Sequence, residues 1–167
     1  MAPRPTVLVL GDSVVPSLSD VLVRASDLSP IRVAAAPVSG CGLLPGVTLD
    51  TTTQAVYEPS RGCEAEVNTA ISAAIAQVRP DVVVWMSVWD AENRNVNGVT
   101  IALETPQGRD ALYGLIDARV QQFAAQGITT VLVSDAPVGR SGTLAEPQAI
   151  KQQRDPRLRR CPVTVRR

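Results

Sequence analysis

The stretch Thr6-Val-Leu-Val-Leu-Gly-Asp-Ser13 decides the fold of this chain. Its first five residues are apolar or β-branched, which is typical of a buried strand, and Gly11 then permits a sharp turn. Apolar residues recur at helical spacing over about residues 16–26, and the proline that begins this segment is well tolerated in a first helical turn. The stretch therefore predicts a buried strand, a turn that carries Asp12 and Ser13, and a helix.

The rest of the chain alternates between strands and helices. Further strands are predicted over residues 31–35, 82–86 and 128–133, and further helices over residues 64–77 and 110–126. This alternation predicts an α/β fold with a parallel sheet, right-handed crossovers and helices on both faces. We expect the strand order 2-1-3-4, with irregular loops over residues 37–62 and 90–108.

Three polar or glycine-rich segments follow the first three predicted strands. They are Gly11–Ser13, Ser39–Gly42 and Ser87–Asp90. In open α/β sheets, ligands bind at the carboxyl ends of the strands. We therefore expect the three segments to converge on one site.

Length and composition predict one globular core, which we place in residues 1–140, followed by a basic irregular tail in residues 141–167. The 16 Lys and Arg residues balance 16 Asp and Glu residues, so no overall field favours a nucleic-acid partner. No apolar run reaches the roughly 18 residues that a membrane span requires. A nucleotide-binding domain is disfavoured, because no Gly-x-Gly-x-x-G or P-loop string follows the first strand.

The sequence contains no histidine, so imidazole is excluded as a general base, a metal ligand or a pH switch. The three cysteines lack the paired spacing of a zinc site. We therefore expect neither a metal nor a cofactor.

Ser13 lies between a buried strand and a helix start, where backbone amides and the positive end of the helix dipole are available. Two interpretations of this serine stay open. It is a nucleophile whose developing charge benefits from the helix end, or it caps the helix together with Asp12, because both residue types are favoured at that boundary.

Cys41 and Cys63 bracket the first long loop, and each is next to a glycine. They are either small core residues or a disulfide, which would close the loop and contribute about 3 kcal/mol. A disulfide would imply an oxidising compartment. Cys161 is left over from this pairing.

The run Val7-Leu-Val-Leu-Gly-Asp-Ser13 resembles the first block of the SGNH (GDSL-type) hydrolases, which include esterases, lipases and carbohydrate O-acetyl transfer or deacetylation domains. The resemblance implies a flavodoxin-like three-layer sandwich with a parallel sheet, the SGNH hydrolase fold, and Ser13 as the catalytic nucleophile. It also implies an oxyanion hole made by the amide of Ser13 and that of a glycine after the second strand. This glycine falls on Gly40, with Gly42 as the second choice.

The third block of the family is usually Gly-x-Asn-Asp, and the equivalent stretch here is Ser87-Val-Trp-Asp90. Trp89 stands where the family has an oxyanion-forming asparagine, so the chain departs from the pattern at that donor. We expect Trp89 to line the pocket with Asp12 and Asp90. Its ring either stacks on a sugar or anchors a loop.

Three features are similar to SGNH domains attached to bacterial membrane acyltransferases that O-acylate cell-envelope glycans. They are the Gly-Cys-Gly-Leu-Leu loop at residues 40–44, the second cysteine at Cys63, and the stretch Trp89-Asp90-x-x-x-Arg94. Those domains lie outside the membrane. The similarity implies an extracytoplasmic ester hydrolase or O-acyl-transfer domain that acts on O-acetyl groups of envelope carbohydrate and associates with a membrane acyltransferase.

The last block of the family, Asp-x-x-His, has no counterpart in a chain without histidine. A chain that is incomplete at its C-terminus and a complete domain that has lost its histidine both explain the gap. The first is favoured because only four strands are predicted, and in either case we expect the chain to be inactive. The alternative function is a non-catalytic glycan-binding or structural module of a membrane acyltransferase.

Overall fold

A computed structural model of the protein describes residues 4–50 and 53–133. Within these residues, helices and strands alternate through most of the chain. In chain order they are β1 (Thr6–Gly11), α1 (Val14–Ser17), α2 (Ser19–Leu28), β2 (Arg32–Pro37), β3 (Val47–Thr48), α3 (Cys63–Val78), β4 (Val82–Met86), β5 (Arg94–Val96), β6 (Val99–Ile101), α4 (Pro106–Ala124) and β7 (Thr129–Leu132).

The central sheet consists of four parallel strands in the order β2-β1-β4-β7. Strand β1 lies in the interior of this sheet, and its last residue, Gly11, pairs with Pro37 of β2 and with Met86 of β4. The predicted α/β class and the predicted order of the four strands are confirmed. Because the strands are parallel, the loops that follow β1, β2 and β4 leave from the same edge of the sheet.

The two faces of the sheet are covered by different helices. Leu8 and Leu10 of β1 belong to the main apolar cluster, which they share with side chains of α3 and α4 such as Val67 and Phe123. Val9 points to the opposite face, as the alternation of a strand requires, and is buried on the side of α1 and α2. The result is the three-layer sandwich that was expected.

The prediction of one continuous helix over residues 16–26 is wrong about where the helix begins and about its continuity. Helix α1 begins at Val14, directly after the turn, and the chain leaves helical geometry at Leu18 (φ −103°, ψ 7°) before α2 begins. Helical spacing of apolar side chains continues through this break, so periodicity alone did not show it.

The expectation that residues 37–62 and 90–108 are wholly irregular is also wrong. Strands β5 and β6 form a hairpin, and β3 pairs antiparallel with β5 to complete a small three-stranded sheet. The hairpin turns at Asn97 and Gly98, whose φ angles are 52° and 85°. An Asn-Gly pair is a strong hairpin signal, because both residues tolerate positive φ.

The predictions for the C-terminal part of the chain stay predictions. The basic tail of residues 141–167, the domain boundary at residue 140 and Cys161 all lie outside the described residues. In residues 4–50 and 53–133, no helix is both long enough and apolar enough to cross a membrane.

Cys41 and Cys63 form a disulfide, with Cα atoms 5.4 Å apart. The disulfide joins the loop after β2 to the first residue of α3. Both cysteines are also buried among the core side chains, so the two sequence interpretations are compatible. The predicted disulfide is confirmed.

Replacing both cysteines (Cys41→Ala with Cys63→Ala) should lower the free energy of unfolding by about 3 kcal/mol, because a disulfide constrains the unfolded chain. Equilibrium urea denaturation followed by circular dichroism measures the loss. The parent protein treated with a reductant is the matched control and should lose a similar amount. A double variant as stable as the oxidised parent would contradict the prediction.

Candidate active site

The three predicted site segments leave the same edge of the sheet. The loop after β2 is tied to β1 at its start, where the Val38 amide donates to the Gly11 carbonyl at 2.8 Å. The segment after β4 is tied to β1 by the side chain of Asp12. Neighbouring strands therefore bring the surroundings of Ser13, Gly40 and Trp89 to one edge.

Asp12 is fully buried, and both of its carboxylate oxygens accept hydrogen bonds. Oδ1 accepts from the Val14 amide at 2.9 Å, which caps the first helical turn. Oδ2 accepts from the Ser87 hydroxyl at 3.0 Å and from the Val88 and Trp89 amides at 2.7 and 3.4 Å. Asp12 thus joins the end of β1 to the segment after β4.

Gly11 makes this junction possible. A Cβ atom at this position would collide with the carbonyl group of Met86 in the neighbouring strand. Only glycine allows β1 and β4 to approach so closely directly before Asp12.

Ser13 is exposed at the N-cap position of α1, yet its side chain makes no capping hydrogen bond. The neighbouring Asp12 caps the helix instead. The carbonyl of Ser13 accepts from the Ser17 hydroxyl at 3.2 Å. Within residues 4–50 and 53–133, the Ser13 hydroxyl therefore has no hydrogen-bond partner at the carboxyl edge of the sheet.

Gly40 has a φ of +77°, a backbone conformation that favours glycine, and open space surrounds the position of a Cβ atom. Its carbonyl oxygen lies 3.9 Å from Sγ of Cys63. Within residues 4–50 and 53–133, neither the Gly40 amide nor the Ser13 amide has a hydrogen-bond acceptor. These are the two amides predicted to form the oxyanion hole.

Gly42, the second choice for that role, has a packing function. A Cβ atom at this position would collide with the carboxylate of Asp90. The missing side chain lets Asp90 reach the backbone of the loop after β2. This contact favours Gly40 over Gly42 as the oxyanion donor.

Asp90 is only 8% exposed, and its carboxylate is saturated with hydrogen bonds. It accepts from the amides of Leu43 and Leu44, each at 3.0 Å, and from Nε1 of Trp85 at 2.7 Å. Both of its oxygens are therefore committed to holding the backbone of the loop after β2 and the Trp85 ring. Asp90 therefore belongs to the framework of the site, and Trp85 is a core residue.

Trp89 stacks on Tyr57, with ring centroids 4.6 Å apart and an angle of 19° between the planes. Both rings are half-buried. Trp89 thus anchors the loop that contains Tyr57, and it brings an aromatic surface to the segment that follows β4. Tyr57 was missed by sequence reasoning, because it lies in a segment without periodicity.

No metal centre is found among the described residues, where no three His, Cys, Asp or Glu side chains are grouped suitably. Asp12 and Asp90 are both committed to backbone amides. Among the described residues, the Ser13 hydroxyl and backbone N–H donors are the groups at this edge that are not committed to the framework.

Fold and site together define an α/β domain that presents an exposed serine at the carboxyl edge of a parallel sheet. A family model described as "SGNH domain (fused to AT3 domains)" matches residues 2–166. The chain therefore belongs to the SGNH domain family, whose members are associated with hydrolase and acyltransferase function. No curated protein and no solved structure matches the chain.

Replacing Asp12 by asparagine should lower the free energy of unfolding by about 2 kcal/mol, because an amide has one acceptor oxygen and cannot serve donors on both sides. Thermal and urea unfolding of Asp12→Asn measure the loss. Asp117→Asn, at an exposed position of α4, removes the same charge and should change stability by less than about 0.5 kcal/mol. Equal effects of the two substitutions would show that Asp12 has no special structural role.

Proposed function

We propose that this chain is a serine ester hydrolase or O-acyl-transfer domain of the SGNH type, with Ser13 as its nucleophile. The proposal is carried by the exposed Ser13 hydroxyl and by the amides of Ser13 and Gly40, which follow neighbouring strands at one edge of the sheet and have no hydrogen-bond acceptor among the described residues. The proposed substrates are O-acetyl esters of cell-envelope carbohydrate. This substrate class rests on the likeness to domains attached to membrane acyltransferases.

In the proposed reaction, Oγ of Ser13 attacks the carbonyl carbon of the ester, and the carbonyl oxygen becomes an oxyanion. The amides of Ser13 and Gly40 donate to that oxygen, and collapse of the intermediate releases the alcohol and leaves an acyl-serine. Water or an acceptor hydroxyl then takes the acyl group. Trp89 stands at the position of the asparagine that is usually the third oxyanion donor, so we assign stabilisation of the oxyanion to the two backbone amides.

The attack on the ester requires a base that accepts the proton of Ser13. The sequence has no histidine, and the carboxylates of Asp12 and Asp90 are held by hydrogen-bond donors. In this proposal the described residues supply the nucleophile and the oxyanion donors, and neither histidine nor Asp12 nor Asp90 serves as the base. We propose that the chain is inactive in this form.

A membrane acyltransferase is the proposed partner, and the extracytoplasmic side of the membrane is the proposed location. The family description, which pairs SGNH domains with AT3 domains, supports the partner. The disulfide between Cys41 and Cys63 supports an oxidising compartment.

The chain and its Ser13→Ala variant should hydrolyse an activated acetyl ester at the same rate. Loss of one member of a catalytic triad costs on the order of a millionfold in kcat, which leaves no measurable turnover. Initial rates with p-nitrophenyl acetate, corrected for buffer hydrolysis, test this. Turnover that disappears in Ser13→Ala would show that another group replaces the histidine.

Ser13 should be the residue that an alkyl fluorophosphonate modifies at high pH, where hydroxide can remove the serine proton. Oγ attacks phosphorus, fluoride leaves, and the two amides stabilise the charged oxygen. Peptide mass spectrometry locates the adduct and measures its rate of formation. Ser17→Ala, one turn further along the helix, should react like the parent. Equal labelling of Ser13 and other exposed serines would contradict the prediction that the two amides favour reaction at Ser13.

A non-catalytic glycan-binding or structural module is the second candidate, favoured by the absence of histidine and by the stacked Trp89 and Tyr57 rings. Aromatic rings provide apolar surface on which sugar rings can pack. Saturable calorimetric binding of an O-acetylated oligosaccharide that is lost in Trp89→Ala, together with no preferential labelling of Ser13, would favour this candidate.

A further inference from the structure

Residues Leu43–Gly46, here called the 43–46 loop, follow Gly40 closely and are held by charged side chains. Five backbone groups of this loop bond to four such side chains. The bonds are Leu43 N and Leu44 N to Asp90 (both 3.0 Å), Arg119 Nη2 to Leu43 O (2.9 Å), Arg94 Nη1 to Pro45 O (3.3 Å) and Gly46 N to Glu64 Oε2 (3.1 Å).

The four charged side chains come from four parts of the fold. Glu64 is in α3, Asp90 follows β4, Arg94 is in β5 and Arg119 is in α4. The two carboxylates accept from amides and the two guanidinium groups donate to carbonyls, so every charge meets a group of suitable polarity. The loop is therefore fixed to several elements at once.

Burial of the two guanidinium groups, those of Arg94 and Arg119, is unfavourable in itself. Desolvation lowers the pKa of Arg94 and of Arg119, and the opposing charge of Asp90 offsets part of the effect for both. Arg94 lies 3.6 Å from Asp90, and its buried Nε has no hydrogen-bond partner among the described residues. Apolar residues often stabilise a core as well as a buried ion pair does. The arrangement therefore points to a role in fixing geometry.

Gly40 lies between Val38 and Cys41, which are both fixed. The Val38 amide donates to the Gly11 carbonyl at 2.8 Å, the Cys41 amide donates to the Val38 carbonyl at 3.1 Å, and Cys41 is covalently joined to Cys63. The 43–46 loop begins two residues after Cys41 and continues the fixed chain on the C-terminal side of Gly40. Within the described residues the Gly40 amide has no acceptor, so its orientation depends on these neighbours.

We infer that Glu64, Asp90, Arg94 and Arg119 are positioning residues, which hold the 43–46 loop so that the Gly40 amide keeps the direction needed for an oxyanion donor. The catalytic meaning of this inference rests on the proposed function. That the four side chains hold the loop is a separate inference, which can be tested without measuring enzymatic turnover.

The experiment compares the Arg119→Met variant with the parent by amide hydrogen exchange, resolved to residues by NMR. Methionine keeps most of the apolar stem of Arg119 and removes its bond to the Leu43 carbonyl. We expect exchange at the amides of Leu43 and Leu44 to become about tenfold faster, because a charge-assisted bond that holds the loop is lost.

Two further variants separate positioning from general loss of stability. Arg109→Met removes an arginine of the same helix that donates to the carbonyls of Leu103 and Glu104, and it should leave exchange in the 43–46 loop unchanged. Arg119→Lys keeps a donor and should restore most of the protection. If Arg119→Met does not fold, Glu64→Gln replaces it, and faster exchange at Gly46 is then expected.

The outcomes are distinct. Local acceleration in Arg119→Met that Arg119→Lys reverses supports the inference, whereas unchanged exchange, or acceleration spread over the whole sheet, overturns it. Fluorophosphonate labelling of Ser13 in the same variants gives the second readout, and a severalfold lower rate in Arg119→Met, restored by Arg119→Lys, is expected. Local acceleration with no labelling of Ser13 in the parent would retain the loop-fixing role and reject the proposed function.

Discussion

The buried carboxylate of Asp12 holds together the strand ends on which the site is built. It joins β1 to the segment after β4 through the Ser87 hydroxyl and two backbone amides, and it caps α1. Asp12 caps the helix, and the side chain of the next residue, Ser13, makes no capping hydrogen bond. A buried polar group is costly unless it is hydrogen-bonded, so the burial of Asp12 depends on the donors that this edge of the sheet supplies.

The long segment between β2 and α3 is stabilised by a different principle. A loop of this length loses much conformational entropy when it is ordered, and burial of Val38, Leu43, Leu44 and Leu49 offsets part of the loss. The disulfide and the charged side chains around the 43–46 loop supply further constraints. Gly42 contributes by the absence of a side chain, because Asp90 occupies the space that a Cβ atom would need. The loop is thereby tied to several elements of the fold.

The charged groups of the site have structural tasks, and this limits its chemistry. Asp12 and Asp90 bind backbone amides, and Arg94 and Arg119 bind backbone carbonyls. None of the four is a free base for Ser13. Under the proposed function, attack of Ser13 on an ester would therefore need a proton acceptor other than these four groups.

The sequence by itself determined the central sheet, because the apolar runs of β1 and β4 report burial within a few neighbouring residues. It also predicted the disulfide, which is confirmed, and it pointed to Ser13 and the loop glycines, which lie next to recognisable strand ends and whose catalytic roles stay predictions. It did not show the pairing of β3 with β5, or the bond from Arg119 to Leu43, which joins residues 76 positions apart. Such contacts depend on which surfaces meet when the layers of the fold pack. The sequence around Arg119 does not indicate that its guanidinium group bonds to a residue so far away in the chain. Only the tertiary structure decided that the conspicuous Asp90 is a support for the loop.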